Sequence, residues 1–153
     1  MTDRLVEQII LSIAQAAELY HRLVVLAAPA GGGKTAALHH VQKRTVAPLV
    51  NVNLELSRRM LALTQRQRTL QLPRILAELV GQTSADVVLL DNIEVLFDVD
   101  LKQDPLRLLK GLSRNRTLVV AWNGSIDDEY MTYASPTHRE YRRYRLGDFL
   151  VVT

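Results

Sequence analysis

The 153-residue chain is 48% apolar and 23% charged, carries a formal charge of +3 and contains no cysteine. Disulfides and thiolate metal centres are thereby excluded. Asp3, Arg4 and Glu7 break up the apolar core a signal peptide needs, and no run approaches the roughly 18 apolar residues of a membrane span. The expectation is one domain over residues 1–153, in a reducing cytoplasm and away from membranes, burying about two-thirds of its unfolded surface.

Leu5, Ile9, Ile13 and Ala16 or Ala17 recur at helical spacing and predict an amphipathic helix over 3–20. The uninterrupted apolar run 23–28 predicts a strand buried on both faces, and a helix from Lys34 to Arg44 follows. Alternating residues 49–53 predict a second strand, and Ser57 caps a short helix over 58–63. Residues 64–72 read as polar, with a helix beginning at Pro73 and closing at Gly81. Val87-Val88-Leu89-Leu90-Asp91 is a third strand, residues 102–112 a helix ended by Gly111, and 117–122 a fourth strand. The polar, tyrosine-rich stretch 125–143 is given a short helix at 127–133, and a last strand lies near 145–152. Five strands alternating with helices predict an α/β fold with a mostly parallel sheet flanked by helices.

Three positions carry chemistry. The first is the turn Ala28-Pro29-Ala30-Gly31-Gly32-Gly33-Lys34-Thr35, which follows the first strand and opens onto the helix beginning Ala36-Ala37. It matches the phosphate-loop pattern G-x-x-x-x-G-K-[ST] except that Ala28 replaces the first glycine. Backbone N–H groups over Pro29–Ala36 can wrap a phosphate chain at a helix N-terminus. Lys34 reaches the terminal phosphates and the Thr35 hydroxyl ligates Mg²⁺. The second is Asp91, whose carboxylate at the end of an apolar strand can hold the same Mg²⁺ through its water shell. The third is Asn123, at the end of the fourth strand, where ligands of open α/β sheets gather. Its amide can contact the γ-phosphate or orient water, although Asn123-Gly124 also reads as a turn.

Lys-Thr, strand-end Asp and strand-end Asn, in that order, resemble the additional-strand P-loop NTPases, above all the AAA+, STAND and origin-recognition branches. The runs A-P-A-G-G-G-K-T, L-L-D-N-I-E-V-L-F and L-G-D-F-L, with the chain's size, resemble more closely the BrxF family of small P-loop proteins from BREX bacteriophage-exclusion systems. The resemblance implies an AAA+-like core, ATP as the nucleotide (no N-K-x-D guanine-reading run occurs), a nucleotide-dependent homo-oligomer, and other defence proteins as partners. It also assigns sensor 1 to Asn123.

Two departures limit the implied mechanism. Most AAA+ proteins follow the strand-end Asp with a Glu that accepts the attacking water's proton; here Asn92 stands there, and an amide cannot accept that proton. Glu94 and Glu55 are the carboxylates available to compensate. The chain also stops at Thr153 with no helical lid, so closure of the site is expected from a neighbour. The family places a trans-acting arginine just before the last strand, where Arg139, Arg142 and Arg143 fall. Arginines also cluster at Arg58, Arg59, Arg66 and Arg68, at Arg114 and Arg116, and at Arg145, and Tyr130, Tyr133, Tyr141 and Tyr144 interleave with the last group. This texture suits stacking on single-stranded bases. The rival expectation is therefore a DNA-binding adaptor in which nucleotide is a switch or structural ligand.

Overall fold

The computed structural model describes residues 2–153. Helix α1 (Thr2–Ala16) precedes strand β1 (Leu23–Ala28), and the glycine-rich turn leads into α2 (Lys34–Thr45). Strand β2 (Leu49–Asn51), helices α3 (Val52–Met60) and α4 (Gln65–Val80), and strand β3 (Val87–Asp91) follow. Two 3-10 turns, Glu94–Phe97 and Val99–Leu101, lead to α5 (Pro105–Leu112). The chain then forms β4 (Thr117–Asp127), β5 (Tyr130–Tyr133), β6 (Arg142–Arg145) and β7 (Leu150–Val152).

The central sheet runs β2-β3-β4-β1-β7, and all four of its pairings are parallel. The α/β class and the mostly parallel sheet are as the alternation of strands and helices predicts. Strand residues divide by parity, because successive side chains point to opposite faces. Val24, Leu26, Leu89, Val119 and Ala121 join one core with residues of α1 and α2. Leu23, Val25, Leu90, Val120 and Trp122 join the other with residues of α3, α4 and α5. Two-sided burial is why these strands read as unbroken apolar runs.

Several expected boundaries are corrected. The helix expected over 58–63 is α3, which starts six residues earlier, at Val52. Its cap is Asn51, whose side chain accepts from Leu54 N at 3.1 Å, not Ser57. Val52, Leu56 and Met60, four apart, form its buried stripe. The helix expected to begin at Pro73 begins at Gln65. Thr64 and Gln67 cap it reciprocally, at 3.2 Å from Gln67 N to the hydroxyl and 2.9 Å from Thr64 N to the amide oxygen. Pro73 lies inside this helix, where it cannot donate to the carbonyl of Thr69. The Gln103 amide supplies the missing donor, at 2.8 Å from Thr69 O.

Alanine at Thr64 removes one half of that reciprocal cap, and chemical denaturation is expected to show a loss of about 1 kcal/mol. An unchanged midpoint would mean that packing alone sets the start of α4.

The last third of the chain differs most. No helix forms at 127–133: β4 continues to Asp127 and turns back through Asp128-Glu129 into β5. Strand β6 then pairs antiparallel with β5. The result is a three-stranded ribbon projecting from the carboxyl end of β4. Asp128 takes φ 51° in its turn, a conformation Asp tolerates better than most residues. The strand expected near 145–152 resolves into β6 in the ribbon and β7 at the sheet edge. Helix α5 begins at Pro105, capped by Asp104 at 3.3 Å from Arg107 N, and continues through Gly111 to Leu112.

Candidate phosphate-binding site

The glycine-rich turn joins the carboxyl end of β1 to the amino end of α2. Gly31 and Gly33 take φ 80° and 83°, a left-handed conformation that glycine adopts without strain. At Gly32 the constraint is tight space instead. A Cβ there would lie 3.0 Å from the Ala28 Cβ and 3.0 Å from Pro29 O. The methyl group of Ala28, the turn's one departure from the motif, therefore fits because residue 32 has none. Gly32 N donates to Pro29 O at 3.0 Å and closes the turn.

Lys34 is only 6% exposed, and its ammonium donates to Ala28 O at 2.9 Å and Pro29 O at 2.7 Å. Burial pushes its pKa below the ordinary 10.5, and the negative charges of Asp91 and Glu94 oppose that shift. Beside it, the Thr35 hydroxyl donates to Asp91 Oδ2 at 2.7 Å. Asp91 Oδ1 accepts from Asn92 N at 2.9 Å. Threonine and aspartate oxygens in contact are the hard donor set Mg²⁺ takes, with water filling its remaining positions. The residues present therefore fit that ion.

A cavity of about 260 Å³ opens over this cluster, lined by Ala30, Gly31, Gly33, Lys34, Thr35, Ala36, Asp91, Asn92, Glu94, Ala121 and Asn123. Three separated stretches of sequence meet here because β1, β3 and β4 are neighbours in one parallel sheet, with their carboxyl ends together. Asn123 lies directly opposite Ala28 in the β1–β4 register. Pro29 reaches the cluster through its carbonyl, which accepts from both the Lys34 ammonium and the Gly32 N–H, although neither Pro29 nor Gly32 lines the cavity wall.

The two carboxylates considered as bases part company. Glu94 opens the 3-10 turn after β3 and lines the cavity. Glu55 pairs with Arg58 at 3.2 Å and faces a separate cavity beside β2. Asn92 also lines this cavity, with φ 53°. A left-handed backbone at that position gives a local reason for asparagine, which tolerates it better than glutamate does.

None of Arg139, Arg142 and Arg143 lines the cavity at Lys34. Arg142 donates to Gln103 O at 2.7 Å and Arg139 pairs with Asp100 at 3.2 Å, tying the ribbon to the segment before α5. Arg143 is exposed and its guanidinium lies 3.5 Å from the centre of the Tyr130 ring. Elsewhere, Arg68 donates to carbonyls of Met60 and Leu63, and Arg116 to those of Val80, Thr83 and Ala85. Arg68, Arg116 and Arg142 are thus committed to the chain's own backbone.

Of the interleaved tyrosines, Tyr133 is buried and stacks on Phe97 with ring centres 3.4 Å apart. Tyr144 packs edge-on against Trp122 and donates its hydroxyl to Asp104 at 3.0 Å. Burial, together with neighbouring carboxylates, pushes both phenols above their ordinary pKa of 10.0. Trp122 is fully buried, as its place at the end of an apolar run predicts, although the strand itself continues to Asp127.

Among the described residues, no helix is long and apolar enough to cross a membrane. Neither a protein-family model nor a curated protein matches the chain.

Proposed function

We propose that the chain is a P-loop ATPase of the additional-strand class, with a BrxF-like role in BREX-type defence against bacteriophage. The observation that carries this reading is the contact between Thr35 and Asp91 at 2.7 Å. It joins a Lys-Thr turn to a strand-end carboxylate across the sheet, with Lys34 buried alongside and Asn123 on the facing strand. The strand order adds support: β4 lies between the strand that carries the glycine-rich turn and the strand that ends in Asp91.

In this reading the N–H groups of the turn hold the β- and γ-phosphates and Lys34 neutralises their charge. Thr35 and Asp91 would hold Mg²⁺, which would supply further charge neutralisation when bound. Asn123 donates to a γ-phosphate oxygen. Glu94 accepts a proton from the attacking water as its oxygen bonds to the γ-phosphorus and the bond to the ADP oxygen breaks. The products are ADP and phosphate.

Asn92 cannot take the proton, and the cavity of an isolated subunit is open to water, which weakens every electrostatic contact inside it. Turnover by isolated subunits is therefore slow. The exposed Arg143, and Arg142 once it releases Gln103 O, act on the next subunit's nucleotide in an oligomer that ATP–Mg²⁺ stabilises. An arginine so placed is worth about three to five orders of magnitude in turnover.

Turnover per subunit is expected to rise steeply with protein concentration, in parallel with a mass increase on adding ATP–Mg²⁺. Arg142→Ala plus Arg143→Ala is expected to flatten the rise while leaving ATP affinity intact. A chain that stays monomeric with ATP–Mg²⁺, and turns over at a rate per subunit independent of concentration, would remove the neighbour from the mechanism.

A further inference from the structure

We infer that Asn53 is a positioning residue for Glu94, acting from helix α3 on the turn that presents Glu94 to the phosphate cavity. The inference rests on the hydrolytic reading above and adds to it the residue that fixes where the proton acceptor sits.

The turn Glu94–Phe97 needs outside help. Its first residues offer backbone N–H groups with no partner inside so short a helix, and Ile93, at its capping position, has no side-chain acceptor. Asn53 provides one: its Oδ1 accepts from Val95 N at 2.8 Å. The same residue's backbone N donates to Asn92 O at 2.8 Å. One residue thus grips the chain on both sides of Glu94, two positions before it and one after.

The grip has a firm base. Asn51 caps α3 through Leu54 N, and Val52 and Leu56 are buried without exposure, so the first turn of α3 cannot drift. At its other end the gripped segment starts from Asp91, whose carboxylate holds both Thr35 Oγ1 and Asn92 N. Glu94 is therefore suspended between the metal-binding carboxylate and α3. Asn92, at φ 53°, turns the backbone sharply between those two anchors. A displacement of about 1 Å of a reacting group costs on the order of 100-fold in rate, so the grip bears on the chemical step and leaves phosphate binding at Lys34 untouched.

Single-turnover hydrolysis of ATP with Mg²⁺ and protein in excess tests this, with ATP affinity measured separately. Asn53→Leu is expected to slow hydrolysis about 10- to 100-fold with affinity changed by less than about twofold. Asn53→Asp keeps an acceptor for Val95 N and is expected to recover most of the rate. In a Glu94→Gln background, already slow, Asn53→Leu is expected to add nothing, because coupled residues do not contribute independently. Asn53→Ala gives the same readout should the leucine variant fold poorly, and retained ATP affinity certifies the fold of either.

An equal slowing by Asn53→Leu in both backgrounds, no slowing at all, or loss of affinity in step with rate would each overturn the inference. Those outcomes leave wild-type turnover in place and are distinct from failure of the hydrolytic reading, which would show as a wild-type chain with no magnesium-dependent turnover and would take this inference with it.

Discussion

Replacing Lys34 with alanine is expected to abolish ATP turnover and weaken ATP binding at least about 100-fold, with the fold left intact. Among the described residues, the ammonium is the one positive side chain lining the cavity, and charge-assisted hydrogen bonds to phosphate contribute roughly 1.5–3 kcal/mol each. Without nucleotide, Lys34 spends its protons on Ala28 O and Pro29 O, and burial disfavours its charge. Alanine removes a buried charge along with those contacts, so the two changes offset one another in the free protein. Thermal melting separates the effects. At ATP near 100 times its dissociation constant, the wild-type chain gains about 2.7 kcal/mol, a rise of roughly 5–10 °C for a domain of this size. Lys34→Ala is expected to melt near the free wild-type temperature with and without ATP. An equal ATP-induced rise in the variant would place the nucleotide elsewhere.

A second large effect, on stability, is expected at Gly124, the residue that follows Asn123 in β4. A Cβ added there would lie 1.7 Å from Thr132 O and 2.8 Å from its carbonyl carbon, both backbone atoms of the paired strand. The same carbonyl accepts the Trp122 indole N–H at 3.0 Å. Trp122 and Gly124 share a face of β4, so the indole crosses the glycine to reach its acceptor, a close approach only a bare Cα permits. Gly124→Ala must part β4 from β5 or push the indole out. Either leaves a buried donor unpaired and opens the aromatic cluster of Trp122, Phe97, Tyr133 and Tyr144. A loss of about 3–5 kcal/mol is expected by urea denaturation, with Trp122 emission shifted to longer wavelength. An unfolding midpoint within error of wild type would mean that the ribbon does not pack as described.

The site was legible in the sequence because its chemistry is written in short runs that need little context. Gly-Gly-Gly-Lys-Thr after one apolar strand, Asp91 closing a second, and Asn123 where the apolar run of a third stops, although β4 itself continues to Asp127, meet once the strands are parallel and adjacent. The fate of the candidate bases was not legible, since Glu94 and Glu55 look alike until the cavity separates them. Nor was Asn53, whose contacts to Asn92 and Val95 span about forty residues.

The ribbon escaped for a local reason. Its first turn, Asp128-Glu129, lacks the Asn-Gly or Asp-Gly pair that marks tight hairpins, and acidic residues ahead of Tyr130-Met131-Thr132-Tyr133 resemble a helix start. The start of α4 escaped because Pro73 reads as a beginning, while the capping pair Thr64 and Gln67 stands nine and six residues upstream. In both places, tertiary partners overrode the local signal: Gln103 behind Pro73, and Trp122 with Phe97 behind the ribbon.

The most direct test of the phosphate site is calorimetric titration of the wild-type chain with ATP, in Mg²⁺ and then in excess chelator. Binding of one nucleotide per chain, weakened by chelation and abolished in Lys34→Ala, is the predicted result. Absence of binding up to millimolar ATP in Mg²⁺, or binding indifferent to both the metal and Lys34, would contradict it.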